Sequence, residues 1–503
     1  MSPEERTGPE DENPNVTCHE LVRERIRAWM AQQPQGRGEW TENAIRLAYA
    51  ERLATAFESL QHENMTAALE AGSQAVVYCV QAEAWDRLGG FASEVVTSTG
   101  DPRLLERLIP HLRTAAESAP EGQPSWSCLC YLADALRLGG RPDASLSFYE
   151  QAAAQARAAA QAGGDGSRHA WSDVATITGN WAAALVITGN LPAAREQKIE
   201  SVEAGKKAGS PAINVICSEL EALRIDIMEG KVAEALPEVE SRLDQVAGWW
   251  QRYRSGQPVP EAPDSEFLAR VYISALDVGR QADYAREDWE SALRRLDTVL
   301  EVKRALERAV EDIARDRFNR ANVLLRLGRF GEARAELEDC LQVFQGMPKE
   351  SSSVLSSLAE LFFRQGDVPQ AITQERRALA VREQLPDPAD RAISHNNLAN
   401  YLERQGAAPA LAESARHRIA ALIYFVVPGL GQHLRTSLRS YAIRFRRARA
   451  AGTEVAVPRV AVLLADPAFQ PLDSWLRQRQ VNPAELQLAV DQLLEPARQA
   501  AAG

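Results

Sequence analysis

Three arginines recur in register along the C-terminal half of the sequence: Arg326, Arg364 and Arg404 each stand two residues before a turn residue, Gly328, Gly366 and Gly406. Six and ten residues before the same turns come Asn322 and Phe318, Glu360 and Ser356, and Asn400 and Asn396. A row of guanidinium groups forms forked hydrogen bonds to carboxylates, and an asparagine amide donates to and accepts from a peptide backbone at once. The pattern makes Phe318, Asn322, Arg326, Glu360, Arg364, Asn396, Asn400 and Arg404 candidate contacts to an acidic or C-terminal peptide. A structural role competes, because a basic residue just before a turn also stabilises the negative end of its own helix. The earlier equivalents, Arg137, Ile187, Met228 and Ala285, do not continue the row, so the groove is expected in the C-terminal half.

A second candidate is the run Arg435, Arg439, Arg444, Arg446, Arg447 and Arg449, interleaved with Tyr441 and Phe445. Basic residues among aromatics are a nucleic-acid pattern. Against it, 57 Lys and Arg face 69 Asp and Glu, a formal charge of −12 that opposes general phosphate binding. Docking onto an acidic protein surface through a basic patch at Arg435, Arg439 and Arg446 is the better expectation, with a solvated helix face as the plain alternative. Trp249 and Trp250 are adjacent, so both cannot face the same core, and one is expected to pack under the Pro-rich stretch that follows.

Other chemistry finds little support. No Gly-Lys pair has the preceding glycine of a phosphate-binding loop, and Gly429-x-Gly431 follows no strand and reads as a turn. The seven histidines form no HExxH and pair with no cysteine at zinc-ligand spacing, so no metal or cofactor is expected. The six cysteines are scattered, as reduced core thiols of a cytoplasmic protein would be. There is no GxSxG elbow. A non-enzymatic protein is expected, and a site hidden in residues 17–120 is the enzymatic alternative.

The elements that would position these residues follow from composition and period. The chain is 45% hydrophobic and only 6% aromatic, which favours helices over half-buried strands. One motif recurs seven times, anchored at Gly139, Gly189, Gly230, Glu287, Gly328, Gly366 and Gly406. Five residues after the anchor stands a small side chain (Ala144, Ala194, Ala235, Ala292, Ala333, Ala371), with Leu411 the exception. Thirteen after it stands an apolar one in every unit: Ala152, Val202, Leu243, Leu300, Leu341, Leu379 and Ile419. A glycine accepts the left-handed conformation that ends one helix, and an alanine in the next lets two backbones approach. Each unit is therefore a helical hairpin that needs its neighbours to bury both of its stripes.

These residues resemble the tetratricopeptide repeat, most clearly in RFNRANVLLRLGRFGEARAELEDCLQVF, SSLAELFFRQGDVPQAITQERRALAVR and SHNNLANYLERQG. The resemblance covers residues 125 to 425. It implies an all-α, right-handed superhelical solenoid of antiparallel hairpins with a concave, ligand-holding inner face. Anchor spacings of 50, 41, 57, 41, 38 and 40 exceed the standard repeat of about 34, as in a longer-period variety. The resemblance also extends to arrays in large bacterial proteins that sit beside a protease or NTPase effector, which would make the chain a sensor or regulatory subunit.

Beyond the array at 121–428, residues 1–16 have neither the charged region nor the apolar region of a signal peptide and are expected to be a disordered lead-in. Residues 17–120 are expected to be helical, with a degenerate unit turning at Gly89. A Pro-rich insertion at 255–267 should bulge as a loop, and 429–503 should form a helical cap whose last helix starts at Asn482-Pro483. The apolar run Ala420 to Val427 is too short to span a membrane, which requires roughly 20 residues. The expected function is a protein-protein scaffold or adaptor. A self-assembling homo-oligomeric frame is its competitor.

Overall fold

The computed structural model describes residues 41–502 apart from 62, 100, 165, 263, 429, 430 and 453. The expected lead-in at 1–16, the helical reading of 17–40 and the turn at Gly429 lie outside the described residues. Among the described residues every regular element is helical. The described residues divide into two compact units, the first ending at Val278 and the second beginning at Gly279.

The first unit holds α1 (Glu42–Leu60), α2 (Met65–Gln81), α3 (Trp85–Ser98), α4 (Pro102–Ser118), α5 (Gln123–Leu138), α6 (Pro142–Ala162), α7 (Ser167–Ile187), α8 (Leu191–Ala208), α9 (Ala212–Met228) and α10 (Val232–Arg254), with the division inside α11 (Ser265–Ala285). The second holds α12 (Trp289–Ala305), α13 (Val310–Arg326), α14 (Phe330–Val343), α15 (Pro348–Arg364), α16 (Val368–Arg382), α17 (Pro388–Gln405) and α18 (Ala408–Val426). It closes with α19 (Gly431–Ala450), α20 (Val460–Leu464), a 3-10 turn at Pro467–Phe469, α21 (Gln470–Gln478) and α22 (Pro483–Ala502). Helices pack chiefly on their sequence neighbours, as stacked hairpins must.

Six of the seven anchors adopt the left-handed backbone: Gly189, Gly230, Glu287, Gly328, Gly366 and Gly406 have φ between 58 and 87. The exception is the first. Gly139 has φ −76, and Gly140, at φ 81, makes the turn. With the turn one residue later, the small residue at the helix crossing is the fully buried Ser145, and Ala144 is exposed. In the last unit the buried small residue is Ala410, one before the exposed Leu411. The remaining small positions, Ala194, Ala235, Ala292, Ala333 and Ala371, are buried at helix-helix crossings.

Gly89 does not turn the chain but lies inside α3, where its carbonyl accepts from the Tyr131 hydroxyl at 3.3 Å. The turn of that hairpin is at Glu83, φ 54, between α2 and α3. A glycine pair drew attention to a helix interior because the true turn residue is not glycine. The Pro-rich loop spans 255–264 and is held by an Arg252–Glu261 ion pair of 2.9 Å. Trp249 and Trp250 are both buried; the Trp250 ring lies 5.4 Å from Tyr253 and 6.2 Å from Tyr272.

In the second unit the run Ile419 to Phe425 is buried on every side, because α20, α21 and α22 bring Leu463, Leu472, Trp475, Leu476, Val490 and Leu494 against it. The Asn482 side chain caps α22 by accepting from the Ala484 N–H at 2.9 Å. No helix among the described residues is long and apolar enough to cross a membrane.

Candidate functional site

Arg326, Arg364 and Arg404 all lie in the last turn of their helices, and all three are exposed. Arg326 sits over the Trp289 ring at 5.9 Å, and Arg364 pairs with Glu360 of its own helix at 2.8 Å. Phe318 packs on the hydrophobic core, and Asn322 Oδ1 accepts from Ser357 Oγ of the next hairpin at 2.8 Å. Ser356 Oγ donates to Glu375 at 3.0 Å. Asn396 is half-buried, and Asn400 accepts from Arg418 at 2.8 Å. Other arginines of this unit are committed to structural pairs: Arg317 bridges Glu336 and Asp339 at 2.6 and 2.7 Å, and Arg320 bridges Asp297 and Glu336 at 2.7 and 3.0 Å.

The row and the basic run meet around one cavity of about 830 Å³ between α17, α18, α19 and residues 454–456, lined by Asn400, Glu403, Arg418, Arg439, Arg444 and Arg447 among others. Glu403 takes both Arg418, at 2.9 Å, and Arg444. Although burial works the other way, the hydrogen bond from Arg444 and the charge of Arg418 hold the Glu403 carboxyl below the usual range. Burial, then the like charge of Arg444, brings Arg418 down to about 10. Tyr441 is buried and Phe445 packs on the core, so neither is an open stacking surface. Arg446 is exposed, and the Arg435 side chain lies outside the described residues.

A polar groove also exists in the first unit, where the sequence reading expected none. It encloses about 440 Å³ between α7, α8 and α9 and is lined by hydroxyls and amides, among them Ser172, Thr176, Asn180 and Asn214, with Lys198 and Glu221. Lys198 has no carboxylate within 4.0 Å among the described residues, since the nearby Glu221 pairs with Arg224 at 3.2 Å. Burial lowers its ammonium below the usual lysine range, against the pull of Glu221. Gly179 leaves room for it: a Cβ there would lie 3.2 Å from Ser201 Oγ and 3.6 Å from Lys198 Nζ.

Asn180 is fixed from behind by a buried network. Asp134 accepts from the Tyr149 hydroxyl at 2.5 Å, Arg137 Nη2 at 3.0 Å and Asn180 Nδ2 at 3.1 Å, while Arg137 Nε donates to the Tyr149 oxygen at 3.0 Å. Burial and then the Asp134 charge push the Tyr149 hydroxyl far above its usual range, so it stays a donor. Three helices, α5, α6 and α7, are tied together at this point. No group of three His, Cys, Asp or Glu side chains able to hold a metal ion is found among the described residues.

Stacked hairpins with left-handed turns, small crossing residues and polar grooves define a tetratricopeptide-type helical repeat protein. In structure the chain is similar to the signal transduction ATPase with numerous domains that carries a tetratricopeptide repeat sensor, from Pyrococcus horikoshii (TM-score 0.52, 12% identity), covering 83% of this chain and 57% of that one. It is also similar to the apo form of the quorum sensor NprR from B. thuringiensis (TM-score 0.50, 11% identity), covering 75% of this chain and 98% of that one. At such identities the likeness establishes the fold alone. No protein-family model and no curated protein matches the sequence.

Proposed function

We propose that this chain is a non-enzymatic scaffold or adaptor that holds an extended, carboxylate-bearing segment of a partner protein in grooves between its hairpins. The observation that carries this reading is Lys198: a half-buried ammonium with no carboxylate within 4.0 Å among the described residues, in a groove whose lining is rich in hydroxyls and amides and holds one carboxylate, Glu221, which pairs with Arg224. An ammonium partly removed from water gains most from an incoming carboxylate, and Asn180 and Asn214 supply side chains that bond to a peptide backbone. In the second unit the exposed Arg326, Arg364 and Arg404, with Phe318, Asn322, Glu360, Asn396 and Asn400, are proposed to serve the same purpose. The quorum sensor and the ATPase sensor named above support the reading by analogy of fold only.

The test is affinity capture from the host's lysate with three full-length chains: wild type, Lys198→Ala, and the triple variant Arg326→Glu, Arg364→Glu, Arg404→Glu. A partner retained by the wild type and lost from either variant supports a groove in the corresponding unit. A partner retained equally by all three overturns the reading.

A further inference from the structure

The cavity at the C-terminal end of the second unit has a charge arrangement that its own residues leave incomplete. Its lining contains four guanidinium groups, on Arg418, Arg439, Arg444 and Arg447, against two carboxylates, on Glu403 and Glu454. Glu403 is shared by Arg418 and Arg444, so one carboxylate serves two cations. Arg418 is only 6% exposed, and its Nε has no hydrogen-bond acceptor. Burying a guanidinium beside a like charge is costly unless an anion compensates it. Arg439 and Arg447 are exposed, and no carboxylate pairs with either among the described residues.

The lining is not only basic. Leu411 and Ile443 expose 44% and 50% of their surfaces, and Val455 and Ala456 continue the apolar side. Exposed aliphatic side chains beside unpaired arginines form a surface with two requirements, an anion and a hydrocarbon group. The groups that carry this requirement, Leu411, Arg439, Ile443 and Arg447, lie on α18 and α19; the cavity shares only Asn400 of α17 with the residues of the adaptor reading, and it stands independently of Lys198.

We propose that this cavity receives a segment of a partner protein in which an acidic side chain adjoins an aliphatic one, the carboxylate meeting Arg439 and Arg447 and the aliphatic group seating on Leu411 and Ile443. A nucleic-acid strand fits less well. Tyr441 and Phe445 are taken up by the core and offer no stacking platform, while Glu403 and Glu454 would repel a line of phosphates. The strongly acidic charge of the whole chain adds to that repulsion.

The experiment is a selection from a displayed library of random dodecapeptides on the full-length chain, followed by fluorescence anisotropy of labelled winners. Three variants run beside the wild type: Arg439→Glu with Arg447→Glu, Leu411→Ser with Ile443→Ser, and Lys198→Ala. All the substituted cavity side chains are exposed, so circular dichroism should be unchanged. The expected result is enrichment of peptides with Asp or Glu next to Leu, Ile or Val. Their affinity should fall about tenfold or more in each cavity variant and hold in Lys198→Ala, which separates this site from the groove of the first unit. Winners without that pairing, or winners that bind the cavity variants as tightly as the wild type, would overturn the proposal. So would tight binding of an oligothymidylate strand that the Arg439→Glu, Arg447→Glu pair abolishes, since that assigns the cavity to nucleic acid.

Discussion

His395 of α17 and His417 of α18 are both buried, and their Nδ1 atoms face each other at 2.7 Å. One ring must donate and the other accept, so the contact exists only while at least one Nδ1 is free of its proton. Both rings pack near Phe469, and His395 stacks on Tyr424. Burial, then the mutual charge of the pair, then Arg391 lower His395 well below the usual histidine value. Burial also lowers His417, outweighing the hydrogen bond and charge of Glu413, while Arg376 and Arg416 reinforce the lowering.

Stability should therefore depend on pH in a defined direction. In the unfolded chain both histidines take up protons near 6.5, whereas the folded rings resist. Their contribution is complete above that value and is lost as pH falls through the lowered folded values. Urea titrations of the full chain between about pH 7 and about pH 5 should show a falling midpoint. Replacing both rings with asparagine, which bonds without titrating, should flatten that slope, and an unchanged slope would place the titrating groups elsewhere.

The network at Asp134 should be worth several hydrogen bonds. Asp134→Ala leaves Arg137, Tyr149 and Asn180 without their common acceptor, and a loss of about 3 kcal/mol is expected from denaturant unfolding. Tyr149→Phe should cost only about 1 kcal/mol, since Arg137 and Asn180 keep Asp134. Equal effects would show that the carboxylate does not organise the cluster.

Turn chemistry offers a matched pair. Glu287 holds φ 58 where the other five left-handed anchors carry glycine. Glu287→Gly should stabilise by about 0.5 kcal/mol, the relief of a left-handed side chain less the added freedom of the unfolded glycine. Gly328→Ala should destabilise by about 1 kcal/mol. A Cβ at Gly328 meets nothing within 4 Å, so the effect would come from backbone conformation alone. Thermal unfolding of both variants checks the signs.

Four buried thiols, Cys79, Cys128, Cys130 and Cys340, should be silent in the native protein. Burial pushes Cys79 and Cys340 up to about 11 and Cys128 up to about 12, and it raises Cys130 well above the usual thiol value. The reactive species is the thiolate, so a disulfide reagent such as dithionitrobenzoate at about pH 8 should modify these four only after denaturant is added. Rapid native labelling of any of them would contradict its burial.

The sequence by itself determined the repeat, because hairpins are specified by contacts that are close along the chain. A turn residue able to adopt positive φ, a small residue five positions later and apolar residues at helical spacing are enough to count seven units. Where a signal was doubled or missing, at Gly139-Gly140 and at Glu83, the reading slipped by one residue or landed in a helix. The tertiary structure alone decided which charges remain available. Arg320 and Arg326 stand on one helix, and nothing in their spacing shows that Arg320 is spent on Asp297 and Glu336 while Arg326 stays exposed. It could not bring Asn400 and Arg439 to one cavity, consign Tyr441 to the core, or single out Lys198, because each depends on what lies across from it. Local periodicity builds the scaffold, but a binding site is defined by unsatisfied groups, and satisfaction is a property of neighbours in space.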